Sequence, residues 1–133
     1  MLLPPVIKSL RARPGMYLAV ETIDCVIAFL DGYDAACEHG FLVGFREWLV
    51  VRADGGNNLA WSGLVRHILD DDPELNATQQ VAGLFELLDA FMAVRCERDG
   101  LRRIYAAYEA WLRMQSWYTP DSPSWLAPDS GKK

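Results

Sequence analysis

The chain has 133 residues, of which 51% are hydrophobic and 23% charged; this is the size and composition of one globular domain and excludes wholesale disorder or two ordinary domains. Thirteen Lys and Arg against eighteen Asp and Glu give a net charge of −5, which disfavours non-specific binding to nucleic acid or anionic lipid and suits a basic protein partner. The three cysteines, Cys25, Cys37 and Cys96, form no C-x-x-C pair, so free and mostly buried thiols in a reducing cytoplasm are expected rather than a disulfide framework or zinc knuckle.

The first predicted element is a short helix after Pro4-Pro5, where prolines suit a first helical turn. Val6, Ile7 and Leu10 give it an apolar side, and Arg13-Pro14-Gly15 stops it. The opening residues lack the basic region of a signal peptide, and no window reaches 18 apolar residues, so neither leader nor membrane span is expected. Met16, Tyr17 and Leu18 are expected to pack onto the core. A second helix starts at Thr22 as N-cap and carries Ile23, Val26, Ile27, Leu30, Tyr33 and Cys37 on one face, with Gly40 as the residue that ends it.

Phe41, Phe45, Trp48 and Leu49 continue at helical spacing, although residues 48–52 also admit a short strand. Residues 53–58 read as a loop rich in Gly and Asn. Leu59, Trp61, Leu64, Val65 and Ile68 make a fourth stripe that ends at Asp70-Asp71-Asp72-Pro73-Glu74. Asn76 or Thr78 caps a fifth helix carrying Val81, Leu84, Phe85, Leu88, Phe91, Met92 and Arg95, and Asp99-Gly100 breaks or bends it. Leu101, Ile104, Tyr105, Tyr108, Trp111 and Leu112 carry the helical period on to about Trp117. Trp48, Trp61 and Trp111 fall on apolar stripes and are assigned to the core. The expected architecture is all-α: a single compact domain of five to six helices over 1–118, with an irregular, Pro-rich tail over 119–133 that is extended or disordered.

Candidate binding residues are of two kinds. Asp31, Asp34 and Glu38 recur at i, i+3 and i+7 on one helical face, and Asp70, Asp71, Asp72 and Glu74 form a dense acidic run. Both suit a basic partner; acids at a helix C-terminus oppose the helix dipole at a cost of about 0.3–1 kcal/mol. Tyr118 and Trp125, at and past the last helix, are candidate aromatic anchors. No E-x-x-H pair or calcium-loop register is present, so neither metal nor cofactor is expected. No catalytic set is expected either. Cys37 and His39 are two residues apart and diverge on a helix, while Ser62 and His67 lack a G-x-S-x-G context.

Two resemblances attach to these residues. Arg13-Pro14-Gly15-Met16-Tyr17-Leu18 resembles the R-P-G-M-Y-I segment of the ATPase domain in DNA gyrase B and its relatives. The asparagine and glycine-rich loops that family needs for ATP are missing here. Over about residues 11–50, that turn followed by Phe29-Leu30-Asp31-Gly32-Tyr33 and then Phe41, Phe45 and Trp48 resembles small bacterial proteins found in toxin–immunity neighbourhoods. The net charge of −5, the acidic face and run and the lack of a catalytic set point to a cytoplasmic, non-enzymatic protein-binding domain, and the resemblance implies its sharpest form, an immunity-type inhibitor that caps a basic toxin. A small helical ligand-binding protein or enzyme with an aromatic-lined pocket is the alternative.

Overall fold

The computed structural model describes residues 3–119. Pro4 and Pro5 open α1 (Pro5–Ala12), whose Ile7 and Leu10 are fully buried. The chain then turns through a 3-10 segment, Pro14–Met16. Thr22 caps α2 (Ile23–Ala36), its hydroxyl accepting the Cys25 N–H at 3.3 Å.

The end of α2 differs from expectation. Glu38 and His39 both take the left-handed conformation, rather than Gly40. The reason is local: the Asp34 carbonyl accepts the His39 N–H at 2.8 Å, and the Asp34 carboxylate accepts the Leu42 N–H at 2.7 Å. Asp34 thus holds both sides of the turn that feeds α3.

Gly44, at φ 90°, starts α3 (Phe45–Ala53). The left-handed φ favours glycine there, and a side chain would also have to displace Leu101 Cδ1, 2.7 Å from its Cβ. Residues 48–52 lie inside α3, which removes the strand alternative. Asp54 ends α3 in the left-handed region, and the loop leads to α4 (Trp61–Leu69). The acidic run follows.

Asn76 and Gln79 form a reciprocal capping box at the start of α5 (Ala77–Arg95). Asp99-Gly100 breaks the helix rather than bending it: Asp99 is left-handed and α6 (Gly100–Arg113) begins afresh. A Cβ at Gly100 would lie 2.1 Å from the Val94 carbonyl oxygen, so only glycine permits this corner. α6 ends earlier than the apolar period suggests. The Met114 and Gln115 amides bond three residues back, and Gln115 Nε2 donates to the Trp111 carbonyl at 2.8 Å, closing the helix end.

Among the described residues six α-helices form one all-α domain, with α3 packed chiefly on α6 and α4, and α5 against α2, α4 and α6. Phe45 lies at the centre, 4.8 Å from the Phe91 ring and 5.6 Å from that of Trp61. Trp111 is core, as its stripe implies, whereas Trp48 and Trp61 are half-buried at the core's edge. No helix among the described residues is long and apolar enough to cross a membrane. The tail expected over 119–133, including Trp125, lies outside the described residues apart from Thr119.

Candidate binding surface

The α2 carboxylates do not form one free acidic face. Asp31 accepts the Trp61 indole N–H at 2.9 Å, and Asp24 pairs with Arg66. These two links set α2 and α4 antiparallel. The Asp34 side chain is only 13% exposed and is spent on Leu42 and on His39, 3.3 Å away. Glu38 is exposed but lies past the helix end, in the turn. Of the expected Asp31, Asp34 and Glu38 surface, Asp31 and Glu38 are exposed, Asp31 with one bond to Trp61, while Asp34 is largely covered and engaged in the turn.

The acidic run behaves differently. Asp70, Asp71, Asp72 and Glu74 are all exposed after the end of α4. Asp72 accepts the Glu74 N–H at 3.1 Å, shaping the turn, and none of the four makes an ion pair among the described residues. Four uncompensated carboxylates so close in sequence produce a local negative field that reaches about 8 Å at physiological ionic strength.

An apolar groove of about 270 Å³ is lined by Leu18, Val26, Val81 and Phe85, with Glu21 and Thr78 as its polar members. Arg11 closes one edge, stacked over Phe85 at 5.3 Å and bonded to Asp89 at 2.6 Å. The segment after the 3-10 turn forms the wall. There the expected packing of Met16 and Tyr17 onto the core is corrected: Met16 is 68% exposed and Val20 56%. Tyr17 packs edge-on to Phe29 and donates its hydroxyl to Ser9 at 2.8 Å, which pins the segment and leaves Met16 outside.

Groove and acidic run meet on shared elements. Val81 and Ala82 of α5 line the groove, while Gln80 lines a notch with Ile23, Arg66, Leu69 and Asp70. Asp70 at the end of α4 thus shares a notch with Ile23 and Gln80 in the first turns of α2 and α5, whose neighbours Val26, Val81 and Ala82 line the groove.

The C-terminal aromatics are divided. Tyr118 is half-buried and packs on the core, and Trp117, 49% exposed, lies edge-on to Trp111 at 6.2 Å. The thiols also differ from expectation: Cys37 and Cys96 are exposed and Cys25 half-buried, all three free. Among the described residues no group of three or more His, Cys, Asp and Glu is placed to hold a metal ion.

Two arginines are structural. The Arg95 guanidinium donates to the carbonyls of Phe41 (2.5 Å), Gly40 (3.2 Å) and Val43 (3.2 Å). Partial burial pulls its pKa below the usual arginine range, with Cys96 and Asp34 opposing that shift. Arg46 donates to the carbonyls of Leu59 and Asn57, tying α3 to the loop before α4. Nothing in local spacing marks either role, since the acceptors are backbone atoms distant in sequence. Arg46 also borders a cleft between α3 and α6 with Glu47, Tyr105, Tyr108, Glu109 and Leu112. Comparisons with protein-family models, curated proteins and solved structures find no match for this chain.

Proposed function

We propose that the protein is a non-enzymatic binding domain that takes a basic protein partner on the end of the bundle where the α2–α5 groove meets the acidic run. The observation that carries this reading is the juxtaposition itself. The groove takes in Val81 and Ala82 near the start of α5, and the neighbouring Gln80 lines a notch with Asp70, the first residue of the exposed run Asp70, Asp71, Asp72 and Glu74. Apolar anchoring beside a charged rim is how protein interfaces divide affinity from steering. In its sharpest form the partner is a basic toxin domain and the protein its cytoplasmic immunity-type inhibitor. The toxin–immunity resemblance of residues 11–50 supports that form, and the three free thiols support a reducing setting.

The test is a kinetic binding assay against the product of the neighbouring gene at low and high salt. Reversing Asp71, Asp72 and Glu74 to lysine slows association and flattens its salt dependence. Ala82→Glu, an exposed position lining the groove, raises the dissociation rate. A partner that binds with both rates unchanged in all these variants places the interface elsewhere on the molecule.

A further inference from the structure

A second groove lies where α3, α5 and α6 meet, and it shares no residue with the protein-binding groove or with the cleft beside Arg46. We propose that it binds a small organic carboxylate with an apolar body, the body lying on Trp48, Val51, Val94 and Ile104 and the carboxylate received by Arg52.

The walls supply the first observation. Trp48 and Val51 of α3, Val94 of α5 and Ile104 of α6 line a volume of about 350 Å³. Pockets for small molecules begin at about 300 Å³ and are mostly apolar, with a few polar groups that fix the ligand. Trp48, Val51 and Val94 pack against the core and keep part of their surface open. An apolar body laid on them removes that surface from water.

The charges then select the ligand, and their sign is unmixed. The ionisable residues on the wall are Arg52 and Arg103, with no carboxylate among them. Arg52 follows Trp48 by one helical turn, and its guanidinium lies over the indole ring at 5.1 Å from the centroid. Stacking fixes the plane of the guanidinium and leaves the N–H groups around its edge available. Arg52 makes no ion pair or hydrogen bond among the described residues. A planar fork of unused donors is the complement of a carboxylate, which it takes through two parallel bonds. Arg103 is partly engaged: its Nη2 donates to Glu97 at 2.7 Å and to the Arg98 carbonyl at 3.1 Å. Arg52 therefore carries the uncompensated charge of the groove. The protein as a whole is net −5 and repels anions, so the contact with Arg52 and the burial of the apolar body are both needed to hold the ligand.

The experiment titrates the full-length protein with octanoate. Octylammonium, which keeps the body and reverses the charge, and butyrate, which keeps the charge on a short body, are titrated in parallel. Calorimetry gives the affinity and amide chemical-shift mapping gives the place. Saturable octanoate binding with shifts centred on residues 48–52, 94 and 103–107 is expected, with each control bound at least about tenfold more weakly. Arg52 is exposed and holds no other element in place, so Arg52→Gln keeps the fold. That variant is expected to weaken octanoate about tenfold, the scale of one hydrogen bond to a charged group. Octylammonium or butyrate binding as tightly as octanoate, unchanged affinity in Arg52→Gln, shifts located elsewhere, or no saturable binding at millimolar octanoate would each overturn the proposal. A groove that is already filled would overturn it too. Shifts at 48–52 that follow protein concentration alone would mark a second copy there, and the same shifts produced by Trp125→Ala without ligand would mark the chain's own C-terminal segment.

Discussion

Trp111 joins two parts of the chain that the sequence separates by 57 residues. Its ring stacks on Tyr108 and its indole N–H donates to Asp54 at 2.7 Å, fixing the end of α3 against α6. Trp111→Ala removes both and leaves a cavity, so it is expected to cost about 3–5 kcal/mol in urea unfolding. Trp111→Phe keeps most of the ring and exposes only the loss of the Asp54 bond, about 1.5–3 kcal/mol for a hydrogen bond to a charged group. Tyr105 makes a different prediction. Its folded pKa lies above the ordinary 10.0, from partial burial first and Glu47 second. Above the unfolded pKa of about 10 the unfolded chain therefore loses a proton that the folded chain keeps. Stability from this group is complete below that pH and declines as pH rises through the folded value. Unfolding measured on both sides of pH 10 is expected to show a shallower alkaline loss in Tyr105→Phe than in the parent protein.

At the scale of elements, the joints carry more specificity than the helices. The α5 start is secured by the reciprocal bonds of Asn76 and Gln79, at 2.8 and 2.9 Å. Asn76→Ala is expected to destabilise the protein by about 1 kcal/mol, read from the denaturation midpoint. The turn between α2 and α3 depends on two distant side chains, Asp34 from one side and Arg95 from the other. Arg95→Met keeps an unbranched apolar stem but removes the guanidinium that lies over Phe91 and leaves three carbonyls without their donor. Hydrogen exchange of the amides in 39–45 is expected to accelerate well before global unfolding, because the turn would open as a local unit. Exchange that remains as slow as in the parent protein would show that Asp34 alone holds the turn.

For the whole molecule, the hydrophobic core is continuous across all six helices and includes no buried charged residue among those described. Folding on such a core asks nothing of a metal. Chelator is accordingly expected to change neither the melting temperature nor the helical circular dichroism, and a substantial fall in either would reveal a ligand set beyond the described residues. The exposed large apolar side chains include Met16, Tyr17 and Val20 between α1 and α2, Val43 before α3, and Tyr105, Met114 and Trp117 along and past α6.

Periodicity alone determined the helices. The stripes of α2, α5 and α6 name most of the residues buried in those helices, with Cys37 and Tyr105 exposed and Leu87 added, because a 3.6-residue repeat of apolar side chains favours one buried helical face in water. Thr22 and Asn76 were legible as caps for a similarly local reason: each bonds a backbone N–H three residues away. Tertiary structure decided what the charged residues do. Asp31 and Asp34 have the spacing of a solvated face, yet Trp61 and the Leu42 amide reach them from other parts of the chain. Tyr108 belongs to a core stripe by spacing, and only the packing of α3 on α6 buries its hydroxyl without a partner beside Arg46 and Glu47. Hydrophobic burial is set mostly by which face of a helix a residue occupies, a local property. The partner of a polar atom is set by where other helices pass, and that is fixed only when the helices pack.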